Sequence, residues 1–445
     1  MSRLKRLVVP SDPGSAVGEL AVAPLRWAAR GGLAVADQAA LAGTNFAVSV
    51  LLARWLAPAP YGAFSVALAF SWLLRSLYDA LVNAPMTVIG VGRHGEHFRS
   101  YLGTVLGAQL KLALPLAGVI LLAGLIVQQA VSRSVGAALM GLAVASPPLL
   151  LLWSARSAFY AELRVGGSVL GGALYCATSL AALAALHAWG WLTPASAFAA
   201  LGLGAGLGML LTLRRLGPDW TGGGFSVRQI VTEHWGYGRW ALADGAVGWV
   251  ALNLYYLVLP ASHGLEWTGA LRAVMNFSLP GTHTLMALGA LLLPTLVRQR
   301  EGAGARAMTR TAWRWLGIFL GLTSVYLGAL WLMRNELFVL FYGGKYREHA
   351  SSLLWVGLVP VSASFAVVLG SVLQAFERPD LGFWAQAGSA VAALTVGLGL
   401  AAVWGVNGAI AGLIVSYATG AALRAYFWRN LVRRSKVETS KPLDS

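Results

Sequence analysis

The residues of this chain that could do chemistry are charges in places hostile to charge. Arg75, Lys111 and Arg272 each stand inside a run of about 20 mostly apolar residues, and so do the acids Asp37, Asp79 and Asp244. An ionised side chain at the centre of a bilayer costs roughly 2.5 to 3.5 kcal/mol on insertion scales, so such groups face protein or water and find partners. Arg75 and Asp79 are four residues apart, share a helix face and can neutralise each other. That pair either locks two helices together or takes part in binding substrate or ions. Lys111, beside Gln109 and before Pro115, has no acid near it in its own segment and needs a partner from elsewhere: Asp37, or a phosphate. Arg272 lies one to two turns from the end of its segment, where a long side chain can snorkel to the headgroups or turn into a cavity. Gln38, Asn45 and Ser49 recur at helical spacing, and Asn253 and Asn276 sit in later apolar runs. They either line a cavity or hydrogen-bond between helices. Asp37 and Asp244 could exchange protons or bind sodium, or could complement helix dipoles.

Little else in the chain is reactive. His94 and His97 share a linker with Glu96 but lack the further ligands that a metal site needs. The single cysteine, Cys176, lies in an apolar stretch and reads as a small buried thiol. Gly202, Gly204, Gly206 and Gly208 follow no strand, so they suggest a close helix-packing face rather than a nucleotide loop. No catalytic residue, no metal and no cofactor are expected. Recognition of a charged, polar cargo is the chemistry that remains.

The elements that must position these charges are membrane-spanning helices. Of the 445 residues 57% are hydrophobic and 11% charged, too few to cover a water-soluble core, so the fold class is all-α and polytopic. Twelve segments of spanning length centre near Thr44, Trp72, Leu114, Ala145, Thr178, Gly202, Gly248, Pro280, Thr323, Ser364, Leu394 and Ile414. The net charge of +16 does not point to nucleic acid, because the basic residues form short runs between apolar segments rather than one face. With the N-terminus inside, 25 basic residues fall in cytoplasmic tails and loops, Arg156 and Arg424 among them, and 5 fall on the opposite side. That asymmetry is the positive-inside pattern and places both termini in the cytoplasm of a multi-pass inner-membrane protein. Residues 1–30 read as a cytoplasmic tail rather than a signal peptide. Residues 31–215 then form an N-lobe of six spans, 216–236 a cytoplasmic linker, 237–431 a C-lobe of six spans, and 432–445 a cytoplasmic tail. Trp55, Tyr61, Trp189, Trp191 and Trp267 gather at span ends as interfacial anchors. The longest outer loop, from Arg334 to Ala350, leaves no room for the extramembrane domain of a membrane glycosyltransferase or polymerase.

The two halves also echo each other. Ala34-Val35-Ala36-Asp37-Gln38-Ala39 in the first span matches Ala241-Leu242-Ala243-Asp244-Gly245-Ala246 in the seventh, an offset of 207 residues. Gly62-Ala63 and Gly269-Ala270 repeat at the same offset, each 25 residues beyond the acid. Spans one and seven cross in the same direction, so the repeat is parallel and predicts two bundles about an axis along the membrane normal, with a cavity between them.

The run Ala36-Asp37-Gln38-Ala39, Gly43-Thr44-Asn45-Phe46, Leu51 to Pro58 and Tyr61-Gly62-Ala63-Phe64 resembles the opening of oligosaccharide flippases in the multidrug, oligosaccharidyl-lipid and polysaccharide exporter superfamily. Leu271-Arg272-Ala273 with Asn276, Leu292-Leu293-Pro294, Gln374 to Pro379 and Gly405 to Ala409 resemble its second half, so the likeness extends from Leu33 to Leu431. The resemblance implies a V-shaped transporter of twelve transmembrane helices in two six-helix bundles. Its implied cargo is a polyprenyl-diphosphate-linked glycan, flipped to the outer leaflet by alternating access during lipopolysaccharide or exopolysaccharide synthesis. The implied partners are that glycan, membrane lipids and a coupling proton or sodium ion, with the chain acting as a monomer. Arg75, Lys111, Arg272, Gln38, Asn45 and Asn276 would line the substrate cavity, and Asp37, Asp79 and Asp244 would serve coupling. A multidrug exporter of the same superfamily would need an acid-lined cavity, which Arg75 and Lys111 oppose; a peptidoglycan-precursor flippase shares the mechanism. Three cations face three acids, so the substrate assignments fail if every pair closes internally.

Overall fold

The computed structural model describes the backbone of residues 13–221 and 224–438, and side chains for residues 32–221 and 224–433. The N-terminal half comprises α1 (Pro13–Trp55), α2 (Pro58–Tyr78), α3 (Val91–His94), α4 (Phe98–Ala130), α5 (Arg133–Ala161), α6 (Val165–Ala188) and α7 (Pro194–Leu216). The C-terminal half comprises α8 (Val227–Asn253), α9 (Tyr255–Ser262), α10 (Leu265–Asn276), α11 (Leu279–Leu332), α12 (Arg334–Tyr342), α13 (Ser352–Ala375), α14 (Pro379–Ala392) and α15 (Leu398–Glu438).

Among the described residues nine helical stretches are long and apolar enough to cross a membrane, and three of these hold two crossings each. Pro58–Ala130 turns back through the short 3-10 segment Gly95–His97. Leu279–Leu332 breaks at Gly304 (φ 78°), and Pro379–Arg433 breaks at Gly405 (φ 56°). Glycine alone takes such left-handed angles freely, so these two residues make the reversals. The twelve crossings fall on the twelve apolar segments of the sequence, in a multi-pass membrane protein. Three boundaries differ from expectation, one being that α8 starts at Val227, inside the expected linker 216–236. α1 starts at Pro13, inside the expected tail, because proline suits the first turn of a helix rather than breaking it. α15 continues past residue 431 to Glu438. The expected tail residues 1–12 and 439–445, and Gly222-Gly223 of the linker, lie outside the described residues.

Small residues set the packing. On α7, a Cβ at Gly202 would crowd Ala145 of α5 at 2.9 Å, and one at Gly208 would meet Gly171 O of α6 at 2.7 Å. The expected packing face is therefore present. The largest core joins the two lobes at the end where α1 meets α2, uniting Leu52, Tyr61 and Phe64 with Val274, Phe338 and Tyr342. This is the closed end; the opposite, terminal end carries α3, the linker and the close of α15.

At the terminal end the linker is clasped to the N-lobe. Asp219 donates its backbone N–H to Arg99 O at 3.1 Å and accepts from Ser100 Oγ at 2.7 Å. Hydrogen bonds from Thr221 and Ser100 hold its carboxyl below the ordinary value. Gly103 has no Cβ to block Asp219 O. A second joint follows from Pro85, which cannot donate to the carbonyl four residues before it. The chain there widens into π turns, Asp79–Asn83 and Met86–Gly90. The ring of His234 on α8 reaches that carbonyl, with Nδ1 2.9 Å from Leu81 O, while Tyr101 Oη lies 2.6 Å from Nε2. A carbonyl only accepts, so Nδ1 carries the proton and Tyr101 donates to Nε2. Replacing His234 by alanine strands both groups and should cost about 1–3 kcal/mol, read as a lower thermal midpoint of the purified protein. An unchanged midpoint would show that the joint contributes nothing.

Candidate interlobe transport site

The first component is a buried charge centre inside the N-lobe. Arg156 Nη2 of α5 lies 2.7 Å from Asp37 Oδ2 of α1, with the two side chains 3% and 2% exposed. Tyr160 Oη donates to the same oxygen at 2.6 Å, Ser168 Oγ lies 3.3 Å from it, and Arg156 Nη1 donates to Ser168 O at 2.9 Å. Gly172 of α6 leaves room for this guanidinium, which a Cβ there would overlap. Three helices are thus tied by one carboxylate whose charge is matched and whose Oδ2 meets three donors, as burial demands.

Next to it runs a polar relay across α2, α5 and α4. Arg75 Nε stands 3.4 Å from Asp79 Oδ2, Asn83 donates to Asp79 Oδ1 at 2.6 Å, Ser154 donates to Asn83 at 2.8 Å, and Gln109 donates to Ser154 at 2.7 Å. The Trp153 ring links relay and centre, with its centroid 4.1 Å from the Arg75 guanidinium carbon and 5.4 Å from that of Arg156. The Arg75 and Asp79 side chains remain 47% and 48% exposed although they sit mid-helix. Trp72 and Arg75 on α2 and Asp79 at the start of the following π turn form one stripe. The C-lobe touches that stripe at Trp72, where the Arg272 guanidinium carbon lies 5.6 Å from the indole centroid. The stripe therefore starts at the junction between the lobes.

The third component closes one end of that junction. Ser49 Oγ donates to Asn276 Oδ1 at 2.9 Å and lies 2.8 Å from Tyr61 Oη. Asn276 Nδ2 reaches Tyr342 Oη at 3.2 Å, and Tyr342 donates to Ala273 O at 2.8 Å. α2 and α10 cross here at Gly62 and Gly269: a Cβ on Gly62 would overlap Leu265 O, and one on Gly269 would lie 3.2 Å from Gly62 N. Residues at equivalent repeat positions meet where a pseudo-two-fold axis must pass. Lys345 donates to Arg54 O at 2.7 Å and to Leu56 O at 3.0 Å, a cation on the carbonyl end of α1.

Several expectations are corrected. Asp37 pairs with Arg156, not Lys111, and Arg156 is buried within α5 rather than standing in a cytoplasmic loop. Lys111 is exposed, two residues from Gln109, which is buried toward α5; two residues turn a helix by more than half a circle, so Lys111 points away from the relay. Arg272 does not snorkel outward, since its Nε is 3.4 Å from Ser49 Oγ and its guanidinium carbon is 5.9 Å from the Tyr256 ring centroid. Asn276 and Tyr61 are fully buried between the lobes rather than lining a cavity or anchoring at the interface. Gln38 and Asn45 are exposed on α1, and Asn253 donates to Trp249 O within its own helix. Asp244 is exposed and feels the charge of Arg424, which α15 also directs to Gln386 Oε1 at 3.0 Å. Sequence reasoning missed Arg156 and Arg424 as intramembrane cations. Glu162 and Arg164 mark the true end of α5 beyond Arg156, whereas α15 runs on past Arg424, Arg429 and Arg433 to Glu438. Among the described residues no three His, Cys, Asp or Glu side chains converge as a metal site requires.

No protein-family profile and no curated protein matches the chain. Solved structures do. An inward-facing multidrug resistance MATE family transporter of the MOP superfamily superposes with a TM-score of 0.76 at 13% identity, covering 89% of this chain and 95% of its own. The lipid II flippase MurJ in an inward closed conformation gives 0.74 at 11% identity, covering 89% and 87%. An outward-facing MATE transporter gives 0.61 at 13% identity, covering 91% and 94%. The chain therefore has the fold that MATE transporters and the MurJ flippase share.

Proposed function

We propose that this protein flips an anionic, lipid-linked glycan, a polyprenyl-diphosphate oligosaccharide, across the bacterial inner membrane by alternating access. The observation that carries the proposal is the charge left over between the lobes. Asp37 is matched by Arg156, and Asp79 stands beside Arg75, but none of the ion pairs among the described residues involves Arg272. An uncompensated guanidinium facing an interlobe space suits a diphosphate and repels a cationic drug. It lies beside Trp72, whose exposed ring offers a face for a sugar or a lipid chain.

With the basic tails in the cytoplasm, the terminal end faces the cytoplasm and the closed end the outside, so this is an inward-facing state. A glycan headgroup cannot cross hydrocarbon alone; a polar space between lobes replaces its hydration while the polyprenyl tail stays in lipid. No covalent step is needed, and one chain supplies both lobes of the path. Asp244, exposed beside Arg424, is the acid best placed to couple the cycle to protons or sodium. Asp37 could join only by releasing Arg156. Lys111 joins the path only in a conformation that turns its face of α4 inward.

Replacing Arg272 by alanine should abolish complementation of a deletion strain at normal protein levels. Arg272→Lys should restore part of it, because charge returns without the bidentate fork. Full activity of Arg272→Ala would overturn the assignment.

A further inference from the structure

A groove apart from the interlobe path runs along the C-lobe at the terminal end. It lies between the second half of α11, α13 and the last turns of α15, and has a cavity volume of about 710 Å³. That is the size of a ligand site rather than a packing defect. The principal contacts between lobes run through α1, α2 and α4 on one side and α8, α9, α10 and α12 on the other, so the groove lies off that interface.

Its walls are apolar, with Leu316, Phe365, Leu369 and Ala425 along its length. Two features make it more than a bare apolar face. Trp428 is 7% exposed, and its indole N–H is buried with no hydrogen-bond partner among the described residues. Indole is a donor only, and an unmet buried donor costs about 1–3 kcal/mol, so the site lacks an acceptor. Arg429 and Arg433, exposed and one turn apart on α15, stand among the lining residues. The occupant must be apolar over most of its length, accept one hydrogen bond and carry negative charge at one end.

We propose that the groove binds an anionic glycerophospholipid of the surrounding bilayer. One acyl chain lies along Leu316, Phe365 and Leu369, an ester or phosphate oxygen accepts from the Trp428 indole, and the headgroup phosphate meets Arg429 and Arg433. Arginine pairs with phosphate through its planar fork, and basic side chains beside a span attract anionic lipid. The chain's own N-terminal segment does not suit the mouth, since Arg3, Lys5 and Arg6 would meet two further arginines.

Native mass spectrometry of the purified full chain, offered phosphatidylglycerol or phosphatidylcholine with identical acyl chains, tests the proposal. The wild type should retain phosphatidylglycerol in preference. Arg429→Gln with Arg433→Gln should cut that preference about tenfold or more, as two basic contacts to one phosphate imply. Ala425→Phe, which fills the groove, should lose both lipids, and Ala421→Leu provides a milder filling if the larger ring prevents folding. Arg378→Gln, on an exposed turn elsewhere, should change nothing. Equal retention of phosphatidylglycerol by the wild type and every variant would overturn the proposal. So would a dimer that Ala425→Phe dissolves, or selective retention of added polyprenyl phosphate over phosphatidylglycerol.

Discussion

Arg156→Met should be the most damaging single change in the N-lobe. It leaves the Asp37 carboxylate buried with no cation, and breaking a buried pair from one side costs about 3–5 kcal/mol. Removing both charges, with Asp37→Leu and Arg156→Met together, should recover most of that loss, since an apolar replacement of similar volume is often neutral. Thermal unfolding of the purified protein separates the cases. A double variant as unstable as the single one would mean that the pair holds α1, α5 and α6 through geometry that apolar side chains cannot copy. A single variant as stable as the wild type would mean that the centre is hydrated and that its burial has been misjudged.

Gly62→Val should have the largest effect on the lobe interface. The added Cβ falls on the backbone carbonyl of Leu265, which no rotamer change can move, so α2 and α10 must separate. The closed end should then fail to form. Spin labels on α1 and α12 should report longer distances, and transport should stop while the protein remains folded. Gly269→Val should behave alike, whereas Gly92→Ala, with open space around it, serves as a control. Unchanged label distances in Gly62→Val would show that the crossing is not what shuts this end.

The two experiments probe opposite kinds of contact. Within the N-lobe, helices are joined by a desolvated ion pair that is costly to break. Between the lobes they are joined by neutral hydrogen bonds among Ser49, Tyr61, Asn276 and Tyr342, each worth only about 0.5–1.5 kcal/mol net. The proposed transport cycle needs rigid lobes and a reversible seam, and the placement of charge is consistent with that need. Arg54, Lys345 and the carbonyls they reach add a rim whose bonds water would replace in the proposed opening of the seam.

Apolar length made the twelve crossings legible, because that feature is set locally along the chain. Gly62 and Gly269 also stood out as repeat positions, although only the assembled fold brings them together. The partners of the charges were not legible. Depth in the membrane can be read from sequence, whereas the direction a side chain faces depends on which neighbour the helix packs against. Lys111 and Gln109 lie at one depth on opposite faces. Arg156 was assigned to a loop because charges at Glu162 and Arg164 follow closely, yet the helix continues through Ala161 and carries it more than one turn inside. Arg424 was hidden in the same way by Arg429 and Arg433.

The central claim is that the chain moves a lipid-linked, negatively charged glycan between leaflets, and the leaflet occupied by that glycan tests it most directly. Purified protein should be reconstituted into vesicles that hold a polyprenyl-diphosphate oligosaccharide, and the glycan newly exposed to an added, membrane-impermeant glycosidase followed over time. Exposure should be much faster than in protein-free vesicles and should fall to that background with Arg272→Ala. Exposure at the protein-free rate, while the same vesicles transport a cationic dye, would contradict the account.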